Sequence, residues 1–230
     1  MTEVSNPSEP VVALVVAAGS GVRLGGAEPK ALRLLAGRPL VAWSIEALVA
    51  GGVDAVVLVV AAGTADWYGP VVASATVPTV VVLGGATRQE SVASGLAAVP
   101  GDASIVLVHD AARPLVPASV VAAVVAAVRG GATAVIPVVP VTDSIRRLSA
   151  TGSVVVDREE LRAVQTPQGF RRDVLVRAHA AASGASYTDD ATVCEAYGEP
   201  VTLVQGSPDA LKVTHPLDLA VAEMIVRSRR

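Results

Sequence analysis

Five short apolar runs recur along the chain, at residues 11–17, 55–61, 79–83, 104–108 and 132–139. Each is nearly continuous in Val, Ile, Leu and Ala rather than alternating, the pattern of strands buried on both faces of a parallel sheet. Between them lie helical stretches at 40–50, led by Pro39 and closed by Gly51-Gly52, and at 88–99, stopped by Pro100. A third spans 117–129 and ends in Gly130-Gly131, again with proline at the start and glycine at the end. Residues 64–75 form a weaker helix candidate. The alternation predicts an α/β fold with a three-layer, doubly wound, mostly parallel sheet. Ligands in such sheets sit at the carboxyl ends of the strands, so the loops of interest start near Ala18, Gly84, His109 and Pro140.

The pattern changes after Val141. SIRRLSATGSVVVDR, residues 144–158, alternates, turns through Ala-Thr-Gly and resumes with three valines, which predicts a β-hairpin with no helix to cover it. The segment 142–158 is either a protruding dimerisation arm or an edge hairpin folded back on its own sheet. Helices at 172–182, 190–197 and 216–227 and a strand at 200–204 complete a single domain over residues 1–230. The polar, acidic residues 1–10 are expected to form a disordered tail.

Composition narrows the classes. Hydrophobic residues make up 52% and charged residues 17%, which argues against long disordered segments. No apolar run reaches the ~18 to 20 residues of a membrane span, and no basic-then-apolar leader opens the chain. A cytoplasmic enzyme without a membrane partner is expected. The net charge of −3 gives no basic footprint for nucleic acid. Cys194 is the single cysteine, which excludes an internal disulfide framework and reads as a core thiol. Of the 18 basic residues only Lys30 and Lys212 are lysines, where ordinary usage would give roughly a dozen. A compact ammonium and a planar guanidinium are not interchangeable at a phosphate, so these two positions become candidates for phosphate chemistry.

The loop VVAAGSGVRLGGAEPKAL, residues 15–32, carries the chemistry. It is not a Walker A loop, because Lys30 lies between Pro29 and Ala31 with no following hydroxyl for magnesium. It is not a dinucleotide fingerprint either. Gly19, Gly21 and Gly25 have the wrong spacing, Pro29 breaks the segment, and the second strand lacks its terminal acid. What remains is a glycine-rich loop with two cations, Arg23 and Lys30, suited to transfer at an α-phosphate.

AAGSGVRL…PK (17–30) resembles the signature loop of sugar-phosphate nucleotidylyltransferases. GGATRQESV (84–92), LVHDAARP (107–114), PVTDSIRR (140–147), VDR (156–158), QTPQGF (165–170), YTDDA (187–191) and LKVTHPLDL (211–219) follow in order. Together they resemble the 2-C-methyl-D-erythritol 4-phosphate cytidylyltransferases of the non-mevalonate isoprenoid pathway, over nearly the whole chain. The resemblance implies a Rossmann-like nucleotidyltransferase fold, and transfer of CMP from CTP to methylerythritol phosphate by in-line attack, with release of pyrophosphate. Ribitol 5-phosphate cytidylyltransferases share most of these motifs and remain the alternative.

The resemblance also implies roles. Cytosine and the rest of the nucleotide would be bound by Ala17, Ala18, Gly19, Gly85, Ser91, Asp110 and Ala111, while Arg23 and Lys30 stabilise the transition state. Arg158 and Lys212 would position the polyol phosphate, with Ser144, Thr166 and Thr188. Arg158 lies on the arm and would reach a neighbouring subunit, which implies a homodimer. Mg²⁺ would be held by Asp110, and Asp209 is either a second metal-facing carboxylate or a loop cap. His109 is expected to pack rather than act as a base, since the attacking phosphate is already an anion. Two positions depart from the family pattern: Ser144 stands where threonine is general, and Ala86 where some members carry an acid.

Overall fold

The computed structural model describes residues 9–19, 29–182 and 187–229. In chain order these form β1 (Val11–Val16), β2 (Leu34–Leu35), β3 (Arg38–Pro39), α1 (Leu40–Ala50), β4 (Ala55–Val60), α2 (Gly69–Ser74), β5 (Thr79–Leu83) and α3 (Arg88–Ala97). There follow β6 (Ile105–Asp110), α4 (Ala118–Arg129), β7 (Ala134–Pro140), β8 (Ile145–Ser149), β9 (Gly152–Val156), β10 (Arg162–Val164) and β11 (Gln168–Arg171). The chain closes with α5 (Arg172–Ala181), α6 (Asp190–Tyr197), β12 (Val201–Gln205) and α7 (Pro216–Ser228).

The central sheet runs β5-β4-β1-β6-β11-β7, with β10 also on β7 and β12 on the far side of β7. All pairings among β5, β4, β1 and β6 are parallel, as is β12 on β7. Only β10 and β11 run antiparallel to their neighbours. The alternation of side chains along the buried strands divides the core in two. Val11, Ala13, Val15, Ile105 and Leu107 pack with α1 and α4. Val12, Leu14, Val106 and Val108 pack with α3, α5 and α6. That is the three-layer architecture expected from runs apolar on both faces.

Differences from the sequence pattern have local causes. Residues 64–75 split into a 3-10 turn, Ala65–Tyr68, and the short α2, because Pro70 has no N–H to donate and fits only in the first helical turn. β10 escapes the apolar pattern because it is three exposed residues, and β11 because QTPQGFR is polar, yet Phe170 is fully buried and Gly169 lies against α4. A Cβ on Gly169 would come within 2.4 Å of Val124 Cγ1. Residues 1–8 of the expected tail lie outside the described residues. Glu9 is anchored: Arg171 donates to its Oε2 at 2.9 Å, and Arg129 donates to its carbonyl at 3.3 Å.

β8 and β9 form a two-stranded sheet of their own, registered Ile145 against Val156 through Ser149 against Gly152. Leu148 and Val155 on it are strongly exposed. No helix among the described residues is long and apolar enough to cross a membrane.

Candidate active site

A cavity of about 510 Å³ opens at the carboxyl ends of β1, β5 and β6. The sheet register puts its parts together. Val16 pairs with Asp110, the Ala111 N–H donates to Val16 O at 3.1 Å, and the Ala17 N–H donates to Val59 O at 2.7 Å. The chain therefore leaves the sheet at one end of both strands, carrying Ala17, Ala18 and Gly19 from β1 and Asp110 and Ala111 from β6.

The third wall is the start of α3. Thr87 caps it, accepting from the Glu90 N–H at 3.1 Å while Glu90 Oε2 accepts from the Thr87 N–H at 3.0 Å. Ser91, nearly fully buried, donates to Thr87 O at 2.8 Å and still lines the cavity. The paired glycines before the helix permit this approach. A Cβ on Gly84 would lie 2.6 Å from Ser91 Oγ and 3.0 Å from Ala18 Cβ, and one on Gly85 would lie 2.3 Å from Glu90 Cβ.

Asp110 is the one carboxylate lining the cavity among the described residues, against three cations, Lys30, Arg88 and Lys212. Lys212 Nζ sits 2.7 Å from Asp110 Oδ2, Arg113 Nε lies 3.8 Å from the same oxygen, and Arg88 Nε lies 4.0 Å from Oδ1. Burial pushes the Asp110 carboxyl up, but Lys212, Arg88 and Arg113 outweigh it and hold the group below its usual range. Both lysines of the chain meet here. A concave, cation-rich wall of backbone amides with one carboxylate suits a polyphosphate.

Behind this wall the Thr166 hydroxyl accepts from the Asp110 N–H at 3.1 Å and contacts His109 Nδ1 at 3.0 Å. His109 Nε2 faces Arg113 O at 3.1 Å, an acceptor only, so Nε2 carries the proton and Thr166 donates to Nδ1. Burial pulls the His109 imidazole down to about 4, which keeps it neutral at neutral pH. It packs and braces, as expected from the sequence.

This geometry finds its counterpart among known proteins. The family model for 2-C-methyl-D-erythritol 4-phosphate cytidylyltransferase matches residues 11–228. The chain belongs to that family. It is 49% identical over 219 residues to the family's enzyme from Frankia casuarinae, covering 94% of this chain and 81% of that one. It is 46% identical to the enzyme from Streptomyces avermitilis, covering 100% and 98%. The crystal structure of the enzyme from Thermus thermophilus is similar at a TM-score of 0.80 and 38% identity, over 95% of this chain and 99% of that one. The chain is therefore a cytidylyltransferase, and its reaction is CMP transfer from CTP to 2-C-methyl-D-erythritol 4-phosphate.

The cytidylyltransferase cavity gathers Ala17, Ala18, Gly19, Lys30, Gly85, Ser91, Asp110, Ala111 and Lys212, all singled out in the sequence. Arg23 lies outside the described residues. Ser144 and Arg158 are not brought to it. Both are exposed at the base of the β8–β9 hairpin, where Arg158 donates to Thr142 O. Thr188 is exposed just before the α6 cap Asp189. Thr166 is buried with its hydroxyl engaged as described, so it braces Asp110 rather than lining the cavity. Asp209 is not brought to the cavity either. It pairs with Arg229 at 2.6 Å and lines no part of the cavity, because the 3-10 turn Pro208–Ala210 presents it to α7's end.

The rest of QTPQGF proves architectural. Gln165 donates to Ser207 O at 2.8 Å and accepts from Ser207 N–H at 3.0 Å. Gln168 donates to Asp189 Oδ2 at 3.2 Å and accepts from the Ala191 N–H at 3.2 Å. The cavity-lining cation that the sequence did not single out is Arg88. A signal was present: Thr87-x-x-Glu90 is a capping-box pattern, which places residue 88 in the first turn of a helix at a strand's carboxyl end.

Proposed function

We propose that the cavity carries out cytidylyl transfer by in-line attack of the polyol phosphate on the α-phosphate of CTP. The observation that carries this mechanism is the set of Lys30, Arg88 and Lys212 converging with Asp110 on one cavity at the sheet's carboxyl edge. Ala17, Ala18, Gly85 and Ser91 offer the base backbone groups and one hydroxyl in a close-walled recess. Lys30, with Arg23, would meet charge as it accumulates on the equatorial oxygens. Lys212 would hold the attacking phosphate beside Asp110, and no general base is needed.

A magnesium ion fits the donor set as one carboxylate, Asp110, completed by phosphate oxygens, since no cluster of three His, Cys, Asp or Glu exists among the described residues. Such an ion would neutralise triphosphate charge and aid departure of pyrophosphate. The exposure of Ser144 and Arg158 at the base of the hairpin supports a homodimer in which each arm serves the partner's cavity. A cytoplasmic location agrees with the absence of a spanning helix among the described residues.

The test is pyrophosphate release from CTP, UTP or ATP with methylerythritol phosphate or ribitol 5-phosphate. CTP with methylerythritol phosphate should be the preferred pair, and a preference for ribitol phosphate would overturn the substrate assignment. Lys30→Ala should lower kcat by roughly 10²- to 10³-fold, the cost of losing one placed electrostatic donor. Lys212→Ala should chiefly raise KM for the polyol phosphate, by roughly tenfold to a hundredfold, as expected for a lost charge-assisted hydrogen bond. Unchanged kinetics in either variant would remove that residue from the mechanism.

A further inference from the structure

Arg88 does not reach the cavity alone. Its guanidinium is gripped from behind by Asp190, with Nη2 at 2.7 Å from Oδ2, while its Nε faces Asp110 Oδ1 at 4.0 Å. Asp190 is 1% exposed, in the first turn of α6, with buried Ala191, Val193 and Cys194 following it. Its other oxygen accepts from His179 Nε2 at 3.0 Å, at the end of α5. A polar chain thus runs His179–Asp190–Arg88–Asp110–Lys212, from the interior of the helix layer to the cavity.

A carboxylate this deep is costly, and a buried ion pair adds little stability over apolar residues of similar size. Something other than packing is needed to account for a charge there. The 4.0 Å separation supplies it. An arginine opposite a carboxylate ordinarily closes to hydrogen-bond distance. Lys212 already pairs with Asp110 Oδ2, and Arg88, turned by its shorter contact to Asp190, stops 4.0 Å from Oδ1, so it contributes positive charge to the cavity wall without closing on that second oxygen. We propose that Asp190 is a positioning residue of the active site, acting through Arg88 to keep Asp110 and the cation set open to the nucleotide's phosphates. His179 in turn fixes the Asp190 carboxylate. This rests on the reading of Asp110 as a nucleotide-facing group.

A double-mutant cycle tests it, with kcat, CTP affinity by calorimetry without added metal, and thermal stability as readouts. Asp190→Asn and Arg88→Gln should each lower kcat by roughly 10- to 100-fold, the range for residues that orient a reacting shell. The double variant should be no worse than Arg88→Gln alone, because Asp190 has nothing left to position. Additive losses, or an Asp190→Asn protein that melts earlier with kcat and CTP affinity intact, would overturn the proposal in favour of a structural role. If Asp190→Asn does not fold, Arg88→Lys carries the test on the cavity side. It keeps the charge but loses the fork that spans two carboxylates, and kcat retained within about twofold would sink the idea. A wild-type protein that makes no pyrophosphate from CTP would instead defeat the nucleotide reading itself.

Discussion

At the scale of single residues, the site is a problem of charge placement. Asp110 is buried among cations and stays ionised, whereas His109, its neighbour in sequence, is buried without a carboxylate partner and stays neutral. The imidazole falls from its ordinary 6.5 to about 4, so acid favours the unfolded chain, which takes up a proton that the folded chain refuses. The stability associated with His109 is complete above pH 6.5 and is lost progressively as pH falls toward 4. The total amounts to about 3 kcal/mol for a fully buried group. Thermal melts of wild type and His109→Gln between about pH 7.5 and about pH 4.5 check this. The variant should show a flatter decline, and parallel curves would refute the assignment. Lys30 and Lys212 were legible earlier than any of this, from lysine scarcity alone, and both line the cavity. Arg88 was not, because one arginine among sixteen carries no compositional signal.

At the scale of elements, the β5–α3 junction is the tightest part of the wall. Gly84→Ala would set a methyl against Ser91 Oγ and Ala18, and relief requires either the helix start or the first loop to move into the cavity. Overpacking of this kind costs about 1 to 3 kcal/mol. We expect a lower melting temperature together with a raised KM for CTP; a variant that melts early but binds CTP normally would show that the loop relaxes away from the site. The parallel strands and α1, α3 and α4 were readable because strands buried on both faces must be apolar throughout and helices must end at their prolines and glycines. β10 and β11 were not. β10 is short and exposed, and β11 and the Gln165 that leads into it are satisfied by partners far away in sequence, Gln165 on Ser207 and Gln168 on α6, so neither strand leaves an apolar trace.

At the scale of the whole molecule, the described chain gathers Lys30, Arg88, Asp110 and Lys212 in one cavity and places Ser144 and Arg158 at the base of the hairpin. If each arm serves the partner's cavity, two variants defective in different halves should rescue one another. Co-expressed Lys30→Ala and Arg158→Ala chains should recover roughly a quarter of wild-type activity, since random pairing makes half the dimers mixed and leaves half their sites intact. No recovery in purified mixed dimers would place Arg158 outside a shared site.

The sequence by itself determined the layered α/β class, the strand edge where the cavity opens and the family. Each follows from local periodicity, turn chemistry or a motif whose residues are near one another along the chain. Only the tertiary structure decided which charges meet. Asp209 turned to Arg229, Thr166 braced the wall, and Asp190, buried in another layer, took hold of Arg88. Coulomb attraction and hydrogen bonding act across space without regard to separation along the chain, so their pairings become visible only once the sheet and helices have brought the partners together.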